Sequence, residues 1–284
     1  MFLLHALIDD FSSIPRSGAG GAAKRVIPPG AAGWVVSPAV GRRVIEAGCC
    51  ANGVDGSLFG GTEASVLIHG SAARALTAWR SAAALWPSVG IDVDQDRDRH
   101  CVESAHRGLA LLTELPRNVP VTFGLAIAPG WRDALDLILA RGRSVRFSVC
   151  GVDAPDAPAM VDAVRAAVAE RCAFSWSPGP WQVVTDPWEG PLPGILNVLL
   201  ATAAALGGAD AGEVGAELAR TDRVDVVDSV CELDEATARR IRALLGGFAV
   251  REVGPVVDAL CDLELLPKAR QDQAEVPVQV PIQV

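Results

Sequence analysis

The sequence predicts an α/β protein built as a (β/α)8 TIM-like barrel, with irregularity allowed; an open doubly wound parallel sheet is the next architecture in line. Three observations lead there. Short apolar runs alternate with stretches of helical periodicity along nearly the whole chain, the pattern of a parallel sheet with helices outside it. The strand-like runs number about eight, and a chain of 284 residues suits such a barrel. No segment repeats in sequence, which argues against a solenoid. The barrel is assigned to residues 1–268 as one domain, and residues 269–284 to an extended C-terminal tail.

The elements follow in order. "LLHALID" reads as a first strand or a helical turn, and a Gly- and Pro-rich loop leads from it to "WVVSPAV" and the short segment "GRRVIEAG". "ASVLIHG" is a buried strand. The stretch after it places Ala75, Leu76, Trp79, Ala83 and Trp86 at helical spacing behind an N-capping Ser71. "VGIDVDQ", "VPVTFGLAIA", "RSVRFSVCG" and "AFSWS" are strands, each followed by a connection that is helical except after the last. There, a loop with three prolines between Ala173 and Gly190 holds Trp176, Trp181 and Trp188, three of the chain's seven tryptophans. Beyond it, "GILNVLLATAAALGG" is a helix ended by glycine, "VGAELAR" a short helix, and "RVDVVDSV" and "GFAVREV" two strands around the helix "DEATARRIRALLG". "GPVVDALCDLELL" closes the domain. In the tail, Val276, Val278, Val280, Ile282 and Val284 alternate with Pro and Gln; the prolines restrict it to an edge strand or a polyproline-like arm.

Composition excludes several functions. The chain carries 25 basic and 34 acidic residues with no basic run, a poor fit to nucleic acid, where phosphates need clustered Lys and Arg. The seven cysteines show no C-x-x-C spacing, so free thiols in a reducing cytoplasm are expected. The N-terminal run lacks a basic flank and a cleavage site, and the apolar run from Pro193 is short for a membrane span. The abundance of Ala, Gly, Val and Arg is the compositional habit of a high-GC bacterial genome.

Three stretches, "HALIDDFSSIP", "GILNVLLA" and "REVGPVVDALCDLELLP", resemble a family of uncharacterised bacterial proteins of alternating β/α build and similar length. The resemblance covers most of the chain and is weaker in the middle. It implies the alternating fold and brings no established activity. That family carries a Lys and a His pair in the segment matching "AFSWSPGPW", where this chain has Phe174 and apolar or small residues; chemistry the relatives perform there is lost or replaced here.

In a parallel barrel the reacting groups sit where strands run into the following loops. Those ends offer Asp9 and Asp10, His69, the acids Asp92, Asp94 and Asp96, then Arg146 and Cys150 with Asp153 beyond, then Trp176 and Ser177, then Asp225, Asp228 and Ser229, then Arg251 and Glu252. Only Lys24 and Lys268 are lysines, and neither lies on a strand, which disfavours Schiff-base and pyridoxal chemistry. No phosphate-loop motif and no G-x-S-x-G elbow is present. Alternation puts Asp92 and Asp94 on one face of their strand; if that face is inward, the carboxylates need partners, and Arg146 is the candidate.

The leading expectation is a cofactor-free lyase, isomerase or cyclase acting on a hydrophobic small-molecule metabolite. His69, Asp92, Asp94 and Arg146 would do the chemistry, and Trp176, Trp181 and Trp188, with Cys150 and Asn197, would line the pocket. Each has a plainer alternative: a hydrogen-bonded structural histidine, a solvated acidic strand end, a packed core thiol, an amide serving a buried network, a loop packed on its own tryptophans. A second expectation is a hydrolase or aldolase holding a divalent metal on Asp9, Asp10, His69 and Asp92. A third is a binding protein or inactive paralogue. The expected partners are a hydrophobic small molecule and, through the tail, a second copy of the chain; neither nucleic acid nor membrane is expected.

Overall fold

The computed structural model describes residues 2–4, 8–10, 40–46, 63–68, 77, 79–80, 82–83, 89–93, 100–114, 119–148, 156–177, 181–188, 192–250 and 252–266, with the first three strands described by backbone alone. The strands are β1 (Ile8–Asp10), β2 (Val40–Glu46), β3 (Glu63–Ile68), β4 (Val89–Val93), β5 (Val121–Ala126), β6 (Ser144–Ser148), β7 (Phe174–Trp176) and β8 (Leu245–Val250). Among them run the helices α1 (Cys101–Leu111), α2 (Trp131–Leu139), α3 (Ala157–Ala169), α4 (Ile195–Leu206), α5 (Ala211–Ala219), α6 (Arg223–Cys231), α7 (Glu235–Leu244) and α8 (Val253–Asp262).

The protein is α/β, with a curled parallel sheet and alternating helices. Strands β4 to β8 form a half-barrel with their side chains in view. Backbone pairing continues in parallel from β4 through β3 and β2 to β1, and β1 also pairs with β8. The connections from β1 to β2 and from β2 to β3 lie outside the described residues. Between β7 and β8 stand four helices rather than one. The innermost, α4, is buried from Ile195 to Thr202 and packs against α3, α5, α6 and α7. That burial fits its all-round apolar sequence.

The two faces of the half-barrel differ in composition. Helix α1 lies on one face so closely that a Cβ on Gly108 would stand 2.6 Å from the Phe123 ring and 3.3 Å from Val93. On α2, the Trp131 ring meets Phe147 edge-on at 6.0 Å. Residues aligned across a parallel sheet share a face, and successive residues alternate. The helix side therefore carries Ile91, Val93, Phe123, Leu125, Val145, Phe147, Phe174, Trp176 and Phe248, all buried. The inside of the curl carries Asp92, Thr122, Gly124, Ser144, Arg146, Ser175 and Gly247, which the register aligns. Gly247 has φ +155° beside the irregular step between Phe174 and Ser175, backbone that residues with a Cβ avoid.

One sequence expectation is corrected and one unassigned stretch is placed. "RVDVVDSV" is helix α6, not a strand, so Asp225, Asp228 and Ser229 sit at no strand end. Asp222 caps it, its carboxylate accepting from the amides of Val224 and Asp225, and Val226 and Val230, four residues apart, are buried. The second strand lies at Val40–Glu46, where "WVVSPAV" runs into "GRRVIEAG", a stretch to which sequence reasoning assigns no element. It begins past Pro38, which has no N–H to give to a ladder; "WVVSP" itself lies outside the described residues. Among the described residues no helix is long and apolar enough to cross a membrane.

Candidate functional site

The polar centre of the sheet is the pair expected from strand alternation. Arg146 on β6 donates through Nη1 to the Asp92 carboxylate on β4. Both are buried, 4% and 1% exposed. They bond across β5, where Gly124 stands in register with Arg146 and offers no side chain to block the guanidinium. Asp92 is aligned with Thr122, and Thr122 shares a 3.0 Å hydrogen bond with Ser144 on the same face. On the other side Arg146 is aligned with Ser175. The Ser175 hydroxyl is buried and has no hydrogen-bond partner among the described residues. A carboxylate on β4, a guanidinium on β6 and an uncommitted hydroxyl on β7 thus share one face of the sheet, with Asp92 one residue from the C-terminal end of β4. Such a set can move a proton and hold a developing oxyanion.

The expected aromatic wall is corrected. Trp176 is fully buried on the helix side of β7, 5.4 Å from the Phe147 ring and 6.2 Å from Phe174. Trp181 continues the same cluster, 6.2 Å from Trp176 and 4.9 Å from Phe248, and its indole N–H donates to the Ser177 carbonyl at 3.1 Å. These rings fill the layer between sheet and helices. Trp188, by contrast, is 96% exposed.

The described part of the Trp-bearing loop, residues 181–188, is tied by backbone bonds to the start of α4. The carbonyls of Gln182 and Val183 accept from the first amides of α4, Ile195 and Leu196, at 2.8 and 2.9 Å. Gly194 accepts no Cβ, because one would lie 2.4 to 2.5 Å from the backbone of Val184 and Thr185. Asn197 holds this junction. Its Oδ1 accepts from the Thr185 amide, and its Nδ2 donates to the carbonyls of Glu217 and Arg220 on the α5 side. The amide expected to line a pocket is therefore committed to backbone, as a buried polar group must be. Thr185 adds its hydroxyl to the Leu218 carbonyl at 2.9 Å. Arg220 extends the network: Glu217 beside it, hydrogen-bonded at 2.7 Å, holds its guanidinium above the ordinary range, with Asp225 adding to the effect.

Of the remaining candidates, Asp9 and Asp10 take part through their backbone in β1, between β2 and β8. Their side chains, and His69, Asp94 and Cys150, lie outside the described residues. Among the described residues no three His, Cys, Asp or Glu side chains gather as metal ligands. Sequence reasoning missed Ser175, Thr122 and Ser144. The signal was there: in "TFGLA", "SVRFS" and "FSW" small or polar residues alternate with large apolar ones, in the phase that Asp92 and Arg146 share once the strands are aligned. No protein-family model, no curated protein and no solved structure matches the chain.

Proposed function

We propose that the chain is an enzyme of the lyase, isomerase or cyclase kind, acting on a small metabolite at the C-terminal ends of its strands without a cofactor. Asp92 is the base that takes a proton, Arg146 holds the oxygen on which charge builds, and Ser175 binds the substrate on the neighbouring strand. On this reading the strand–helix alternation completes a (β/α)8 barrel, and the free thiols of Cys101, Cys172, Cys231 and Cys261 suit a reducing cytoplasm.

The observation that carries this is the buried Asp92–Arg146 pair on a face otherwise made of small residues. Burying two charges costs several kcal/mol per ion before their attraction offsets it, and apolar side chains of the same volume serve stability as well or better. Groups placed at such cost inside a site are the ordinary sign of chemistry.

The test is to incubate purified protein with a metabolite extract and follow it by mass spectrometry. An isomerase or cyclase yields a product of unchanged mass at a new retention time; a lyase yields two fragments whose masses sum to the substrate. Asp92→Asn is expected to lower the conversion at least ~100-fold with the circular dichroism spectrum unchanged. Conversion at the wild-type rate in that folded variant overturns the assignment.

A further inference from the structure

A groove lies outside the sheet, between the β7–α4 loop and helix α8. Its open volume is about 650 Å3, and its apolar lining includes Trp181, Pro187, Trp188, Pro255, Val256 and Ala259. Among the described residues only two large apolar side chains are exposed, Trp188 at 96% and Val224 at 69%. Of the two, Trp188 lines this groove. Gln182, Thr185, Asp186, Thr221 and Arg223 also line it, and an exposed tryptophan at the lip of such a mixed cleft is surface that binding would cover.

We propose that the groove is filled by the chain's own C-terminal segment, Val276–Val284. That segment has five β-branched residues at alternate positions and not one charged side chain, so burying its side chains removes no charge from water. Extended, it presents Val276, Val278, Val280, Ile282 and Val284 along one side, and its prolines make it stiff, which lowers the entropy lost on docking. Proline-bearing extended segments pack against exposed aromatic rings in grooves of this kind. Reach favours the same chain. The described chain ends at Leu266, which is buried just after α8. The groove borders Pro255, Val256 and Ala259 on that same helix, whose whole length is ~15 Å. Residues 267–275, at ~3.3 Å each, span ~30 Å, enough to return along α8. This docking is independent of the reaction proposed above.

Hydrogen exchange of the full-length protein, read by mass spectrometry on the peptide containing residues 276–284, tests it. The segment is expected to exchange at least ~10-fold more slowly than the same peptide free in solution. The protection is expected to be independent of protein concentration and to be lost in Trp188→Asp, a substitution at an exposed position that leaves exchange in α4 unchanged. As a second variant, Val280→Asp is expected to remove the protection from the tail side. Exchange at the free-peptide rate in the wild type overturns the proposal, as does protection that survives both substitutions. Protection that rises with concentration assigns the groove to the tail of a second copy and overturns docking within one chain.

Discussion

The two faces of the half-barrel divide the work between them. On the helix side, Phe147, Phe174, Trp176 and Phe248 pack into one layer with Trp131 and Trp181. On the inside, aligned with them one residue out of phase, stand Asp92, Thr122, Ser144, Arg146 and Ser175. The aromatic residues, which dominate the sequence to the eye, build the layer that holds helices to sheet. The candidate chemistry falls to small and charged residues between them. Rigid backing of this kind is what a buried ion pair needs, since its geometry must be held closely to offset its desolvation.

That division can be broken most severely from the aromatic side. Phe147→Ala removes the ring that touches Trp131, Phe174 and Trp176 at once and is expected to cost about 3–5 kcal/mol in denaturant unfolding. On the inner face the outcome depends on whether one partner goes or both. Asp92→Ala leaves the Arg146 guanidinium buried without its carboxylate and is expected to cost a comparable 3–5 kcal/mol. Asn197→Ala, which deserts one amide and two carbonyls at the loop junction, is expected to cost about 2–3 kcal/mol.

A pH measurement sharpens the picture of the helix layer. Burial pushes the Cys172 thiol from its ordinary 9.0 up to about 11. Above pH 9 the unfolded chain releases this proton while the folded chain keeps it, so the unfolded state binds fewer protons and stability falls as pH rises. Thermal melting followed from pH 8 to 11 is expected to show a decline from about pH 9 that levels near 11, and Cys172→Ala is expected to remove that part of the slope. The smallest effect is expected at the surface: Asp222→Ala, which uncaps α6, should cost about 1 kcal/mol in the same unfolding assay.

Much of the strand order was legible in the sequence, because each apolar run of strand length was bounded by turn residues and separated by helical periodicity. "RVDVVDSV" misled because Val224, Val226 and Val230 fit a two-residue period as readily as Val226, Val227 and Val230 fit a helical one; the Asp222 cap, and not the valines, decides it. The Asp92–Arg146 pairing was legible from alternation and the cost of a lone buried charge. Ser175 was not, because its place beside Arg146 depends on the register between β6 and β7, which no single strand encodes. The tryptophans were misplaced for the same reason. A Trp at a strand end fits a pocket mouth or a sheet–helix layer equally well until its neighbours are aligned, and Phe147 beside Trp176 settles the face.

The most direct test of the division is the double variant Asp92→Leu/Arg146→Met, compared with the wild type for unfolding free energy and for conversion of a metabolite extract in the same preparation. Apolar replacement of both charges is expected to leave stability within about 2 kcal/mol of the wild type, or to raise it, while conversion disappears. A variant that loses several kcal/mol makes the pair a structural strut, and one that still turns over at the wild-type rate moves the chemistry off the inner face; either result contradicts the account.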